Sequence, residues 1–155
     1  MNLLLMRHAK SSWKEDGMDD HDRPLNHRGR EAAPRMAQVL VESDLVPSRI
    51  LVSSAARTQE TVERMLTILG PVPVVVIPKL YHAMPMTILQ ILKEHGQGAD
   101  PLLIVGHNPG METTVSNIAG NIVPFPTGAI AHAVVTPNES SKVLAVWRPD
   151  ELPAE

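Results

Sequence analysis

Two arginines and three histidines stand where an α/β chain places its chemistry. Arg7-His8 follows the apolar run Leu3-Leu4-Leu5-Met6, and Ser53, Ser54 and Arg57 follow Ile50-Leu51-Val52. Tyr81 and His82 lie beyond Val74-Val75-Val76-Ile77, and His107-Asn108 close Leu102-Leu103-Ile104-Val105. A guanidinium presents a planar fork of donors that grips phosphate oxygens in pairs. A neutral imidazole, with an ordinary pKa of about 6.5, can attack phosphorus, and a second can donate to the oxygens as charge develops. The set suits phosphoryl chemistry.

Each of these residues has a plainer reading when taken singly. A histidine after a strand is ordinarily structural, and an arginine there is ordinarily a surface charge. Four such residues at four strand ends are harder to dismiss. The histidines could instead hold a metal. Two arginines would repel a cation, however, and these segments offer no clear carboxylate partner. No metal and no cofactor are expected.

The elements that must position these residues are legible in the hydrophobic pattern. Asn2 to Met6 is a continuous apolar run, as for a strand buried on both faces. Lys10 to Asn26 is polar, contains Gly17 and Pro24, and reads as a loop. Ala32, Ala33, Met36, Val39 and Leu40 mark a helix, in which Pro34 fits only the first turn. Further strands are expected at Arg49–Ser53, Val74–Ile77 and Leu102–Val105. Helices are expected at Ala55–Leu69, Met86–Glu94 and about Met111–Ile118. Ala129–Val135 and Lys142–Trp147 read as an antiparallel hairpin about Pro137-Asn138-Glu139-Ser140. The alternation predicts an α/β fold, a three-layer sandwich with a mostly parallel sheet and helices on both faces. Ligands of such folds bind at the carboxyl ends of the strands.

Composition narrows the field. The 155 residues favour one domain, 1–155, with a polar, proline-broken tail from about Arg148 loosely ordered. The 14 basic and 17 acidic residues leave a net charge of -3, which offers no footprint for nucleic acid or an anionic membrane. No run approaches the roughly 20 apolar residues of a membrane helix, and no basic stretch precedes Leu3, so no signal peptide is expected. The chain has no cysteine, which excludes disulfides and a cysteine nucleophile. The cytoplasm is the expected compartment. The oligomeric state stays open.

Leu4-Leu5-Met6-Arg7-His8-Ala9-Lys10-Ser11-Ser12-Trp13 resembles the Arg-His-Gly signature of the histidine phosphatase superfamily, which includes cofactor-dependent phosphoglycerate mutases. Ser53-Ser54-Ala55-Ala56-Arg57-Thr58-Gln59-Glu60-Thr61 resembles the second arginine segment of that family, and Val105-Gly106-His107-Asn108-Pro109-Gly110 its second-histidine segment. The short length, Arg23-Pro24-Leu25 before Arg28-Gly29, and Phe125-Pro126-Thr127-Gly128-Ala129 are similar to the compact SixA-type branch of phosphohistidine phosphatases. The resemblance spans residues 2 to about 147. It implies a phosphoglycerate mutase-like fold and a metal-independent phosphohydrolase. His8 would be the nucleophile, with Arg7, Arg57 and His107 on the phosphoryl oxygens and Ser11 as a further donor. The implied substrate is phosphohistidine on a partner protein. Small phosphorylated metabolites, or phosphate binding without catalysis, are the alternatives.

Two departures from the family pattern matter. Ala9 follows the nucleophile where relatives carry glycine. Many relatives also have a carboxylate after the third strand that protonates the leaving oxygen. Here that segment reads Lys79-Leu80-Tyr81-His82-Ala83-Met84. A basic leaving group needs a proton donor. The missing acid therefore favours a phosphoramidate over an alkyl phosphate. His82 is a candidate substitute donor or substrate contact, and Asp19, Asp20 and Asp22 in the first loop are further candidate donors, although each taken singly reads as a solvated loop charge.

Overall fold

Leu3, Leu4, Leu5 and Met6 are all buried, and that burial sets β1 (Asn2–Arg7) inside a sheet rather than at its edge. Each fully buried large aliphatic side chain contributes about 1.5–3 kcal/mol, so the strand that ends in Arg7-His8 is firmly anchored. The computed structural model describes residues 1–13, 17–136 and 140–153. In it β1 pairs in parallel with β4 (Leu102–Gly106) and antiparallel with β5 (Ile130–Val134). β2 (Arg49–Val52) lies beyond β4, and β3 (Val74–Val76) lies beyond β2, both parallel. β6 (Lys142–Trp147) closes the other edge, antiparallel to β5, with a register irregularity between His132 and Ala133. The sheet order is β3-β2-β4-β1-β5-β6.

Alternation of side chains along the strands builds two cores. Leu4, Met6, Ile50, Val52, Leu103 and Val105 face α1 (His27–Glu42) and α2 (Ala56–Leu69). Leu3, Leu5, Leu51, Leu102 and Ile104 face α3 (Pro85–His95) and α4 (Gly110–Ala119). The three-layer α/β sandwich expected from the sequence is the fold observed. Four strands run parallel, and the two last ones are antiparallel. The chain leaves β1 toward one edge, returns to insert β4 beside it, and then crosses to β5. The strand order therefore reverses at β1 and β4, where a crevice opens at the carboxyl ends.

Three local readings change. α1 begins at His27, with the Asn26 side chain accepting from the Gly29 amide at 2.9 Å, so Pro34 lies well past the first turn. Pro34 cannot donate to the preceding turn. The helix continues because Ala33, Met36, Ala37 and Leu40 are all buried against the sheet and α2. The loop after β1 is partly structured, with a bridge between Ser11 and Leu25 and a 3-10 turn at Asp20–Asp22. Residues 148–153, expected to be loose, are held. Arg148 donates to the Pro124 carbonyl at 3.0 Å, Arg35 donates to that of Pro153 at 2.9 Å, and Leu152 packs on the core under α1. Residues 137–139 of the expected hairpin turn lie outside the described residues.

Candidate active site

Arg7 and His8 leave β1 while the backbone is still tied on both sides. The Arg7 amide donates to the Ala129 carbonyl at 3.1 Å and that of His8 to Gly106 at 3.0 Å. The Gly128 amide closes back on the His8 carbonyl at 2.8 Å. His8 is only 6% exposed. Its Nδ1–H donates to the Ala9 carbonyl at 2.7 Å, which fixes the tautomer and leaves the lone pair on Nε2. Burial, helped by the charges of Arg57, Arg7 and Arg23, lowers its pKa to about 4 despite the opposing backbone bond. At neutral pH the His8 imidazole is therefore uncharged.

Arg57 sits in the first turn of α2 and is almost fully buried. Thr61 links it to the segment that follows His8: its hydroxyl donates to the Arg57 carbonyl at 2.7 Å and accepts from the Ala9 amide at 3.1 Å. Arg57 Nη2 lies 3.4 Å from His107 Nδ1, which it can only address as a donor. His107 Nε2–H therefore donates to Ser53 Oγ, 2.8 Å away. Burial foremost, then the neighbouring His8 and Arg57, pushes the His107 pKa far below the usual range. The His8 and His107 rings are 5.3 Å apart. Among the described residues, the buried side-chain nitrogens without a partner are Arg7 Nε and Arg57 Nε. Donors this poorly satisfied are suited to an anion.

The four residues expected to converge do so; Ser11 and His82 need separate accounts. Ser11 Oγ accepts from Arg23 Nη1 at 2.8 Å, so its partner is an arginine outside the quartet. His82 is at the mouth, its ring 5.2 Å from that of His107. Gly110 makes this approach possible, because a Cβ there would overlap the Ala83 carbonyl oxygen.

The expectation that no carboxylate partners these residues is corrected by Asp20. The 3-10 turn at Asp20–Asp22 points its carboxylate inward, 3.0 Å from Arg57 Nη2 and 3.0 Å from Arg23 Nη2. Tyr81 Oη donates to it at 2.5 Å, and His82 Nε2 is 3.1 Å away. Burial alone would raise the Asp20 pKa, but the bonds from Tyr81, Arg57 and Arg23 hold it well below the carboxylate range. Arg23, also buried, enters the sequence reading only within the Arg23-Pro24-Leu25 resemblance and not as a site residue; it stacks on the Trp13 ring at 3.5 Å. Its spacing of three residues from Asp20, just before a proline, was the available signal.

A solved structure shares this arrangement of elements, and further proteins are similar in sequence. A protein from Agrobacterium tumefaciens, described as a candidate phosphohistidine phosphatase SixA, superposes with a TM-score of 0.85 at 28% identity, covering 96% of this chain and 97% of that one. An uncharacterised chloroplast protein of Arabidopsis thaliana is 32% identical over 135 residues, 81% of this chain and 62% of its own length. An uncharacterised protein of Mycobacterium tuberculosis is 31% identical over 137 residues, 81% of this chain and 84% of its own. The sequence pattern of the histidine phosphatase superfamily (branch 1) matches residues 3–83, the stretch that contributes Arg7, His8, Arg57 and the Tyr81-His82 rim. By that match and by the identity to these relatives, the chain belongs to the histidine phosphatase superfamily.

Proposed function

We propose that the chain is a phosphatase that carries the phosphoryl group on His8 and that its substrate is phosphohistidine borne on a protein. The observation that carries the reading is the His8 ring itself. It is neutral, with Nδ1–H locked on the Ala9 carbonyl and Nε2 left as the attacking atom beside two arginines. In the first step the Nε2 lone pair bonds to phosphorus and the bond to the leaving atom breaks. In the second, water attacks phosphorus and the electron pair returns to Nε2. Arg7, Arg57 and His107 hold the three equatorial oxygens. His107 takes a proton when the dianion arrives, because the added negative charge reverses the balance that keeps it neutral. The arginines supply the positive charge that a metal supplies elsewhere, so the reaction is read as metal-independent.

Two features support a protein-borne substrate. The likeness to the SixA-type structure is one. The other is the mouth, where Trp13, Met84 and Met86 are exposed on segments flanking the Asp20-His82 contact. These side chains offer apolar contact to a surface, not a closed wall around a metabolite. No helix among the described residues is long and apolar enough to cross a membrane. The cysteine-free sequence fits a reducing compartment such as the cytoplasm.

Trapping tests the reading. Wild type given phosphohistidine peptide or p-nitrophenyl phosphate should accumulate an acid-labile phosphoenzyme, and His8→Ala should not. Turnover surviving in His8→Ala would overturn the nucleophile assignment. A rate on a simple alkyl phosphate exceeding that on phosphohistidine would overturn the substrate class.

A further inference from the structure

His82 stands at the point in the fold where the expected carboxylate is missing. Its backbone φ is +53°, in the left-handed region that a non-glycine residue adopts when its surroundings impose it. Those surroundings are Gly110, packed on the Ala83 carbonyl, and Asp20, whose Oδ2 is 3.1 Å from His82 Nε2. The groups facing His82 are Asp20 by direct contact, Tyr81 and His107 by ring contacts of 4.1 and 5.2 Å, and Arg57 and Arg23 through Asp20.

The three imidazoles are linked by successive ring contacts, from the buried His8 through His107 to the half-exposed His82. His8 is buried, His107 is next to it at 5.3 Å, and His82 follows His107 at 5.2 Å with about half its side chain exposed. In-line displacement puts the leaving atom opposite the attacking nitrogen. With His8 on the floor, that atom lies toward the mouth, beside His82. Asp20 has the wrong state to be the acid. Two arginines and a phenol hold it ionised, so it can only orient a neighbouring ring.

We propose that His82, oriented by Asp20, is the proton donor to the leaving atom, an inference that rests on His8 being the nucleophile. With Nε2–H directed at Asp20, the mobile proton is on Nδ1 of imidazolium His82. As the His8 Nε2–phosphorus bond forms, the bond from phosphorus to the leaving nitrogen or oxygen breaks. Its electron pair stays on the leaving atom, which takes the Nδ1 proton. In the second step neutral Nδ1 accepts a proton from the water whose oxygen bonds to phosphorus. The phosphorus–nitrogen bond to His8 then breaks, and inorganic phosphate leaves. The Asp20 carboxylate keeps its charge throughout, as the carboxylate of a catalytic triad does. The chemistry extends the substrate range to phosphate esters with basic leaving groups.

The test is the leaving-group dependence of kcat/KM for p-nitrophenyl, phenyl and alkyl phosphates, measured on full-length wild type, His82→Gln and Asp20→Asn. Loss of a general acid costs about 10²–10⁴-fold when the leaving group is basic. The expected result is a loss of about 100-fold on the alkyl ester in His82→Gln, with p-nitrophenyl phosphate barely affected. Asp20→Asn should show a smaller loss with the same trend. An equal loss across the series, or none, would overturn the donor assignment. Phosphoenzyme trapping separates the two ideas. If His82→Gln still forms it and the slope is unchanged, only the donor falls. If wild type forms none, the phosphatase reading falls with it.

Discussion

The carboxylate of Asp20 and the guanidinium of Arg57, separated by 37 positions in sequence, meet at 3.0 Å. Arg57 Nη1 also donates to the Asp20 carbonyl at 2.6 Å. The arginine assigned to a phosphoryl oxygen is therefore already engaged by a negative group. That group repels the incoming dianion while fixing the fork that receives it.

Asp20→Asn separates these two effects. The amide keeps an acceptor for Arg57 but removes the charge. Two unit charges about 4 Å apart interact by about 1 kcal/mol in a watery setting, roughly a fivefold change in affinity. Inorganic phosphate should inhibit the variant at roughly one fifth of the wild-type concentration. An unchanged or weakened inhibition constant would mean that Asp20 acts mainly by aligning Arg57.

The pH dependence of His8 follows from its lowered pKa. The folded value is about 4, against about 6.5 when unfolded. Neutral His8 is therefore favoured by folding. Its contribution to stability is complete above about pH 6.5 and is lost as pH falls through about 4. His107 is shifted in the same direction and adds to the acid sensitivity. Thermal unfolding from pH 7 to pH 4 should show a falling Tm, and His8→Asn should shrink that fall. Proton–nitrogen NMR of the His8 ring should show titration near 4; a midpoint at 6.5 would contradict the buried, neutral nucleophile.

The quartet was legible in the sequence because each member follows an apolar run, and strand ends are the one place where an α/β fold must display chemistry. Asp20 was not legible. It is one of five acidic residues in the polar stretch from Lys10 to Asn26, and only the 3-10 turn and the Arg23 ion pair distinguish it from Asp19 and Asp22. Pro34 misled for a different reason. Local propensity places proline in a first turn, but the buried Ala33, Met36, Ala37 and Leu40 supply enough contact to override a missing hydrogen bond. Ser11 is expected as a phosphate donor from likeness alone; its hydroxyl accepts from Arg23, which no spacing rule foretells.

Gly110 connects packing to catalysis. A methyl group there would meet the Ala83 carbonyl oxygen, and neither backbone can yield without moving the loop that carries Tyr81 and His82. Gly110→Ala should destabilise the fold by about 1–3 kcal/mol, the usual cost of overpacking. It should also slow alkyl phosphates more than p-nitrophenyl phosphate, because the displaced loop holds the proposed donor and not the nucleophile. Equal slowing would place the damage at His107, three residues before Gly110 in the turn that leads into α4, instead of at His82.

Ser53 governs the second histidine. Its hydroxyl accepts from His107 Nε2 at 2.8 Å, while Arg57 approaches Nδ1 at 3.4 Å. Ser53→Ala leaves a buried N–H without an acceptor, which costs about 1–3 kcal/mol. The ring can escape that penalty by moving its proton to Nδ1, but there it opposes a guanidinium donor. Either outcome loosens the group proposed to face the phosphoryl oxygen. The expected result is a fall in kcat of about tenfold, which is about 1.4 kcal/mol of transition-state stabilisation, with KM little changed. Steady-state kinetics and a melting curve on the same sample decide it. A lower Tm with unchanged kcat would show that Ser53 supports the fold and leaves the orientation of His107 to Arg57.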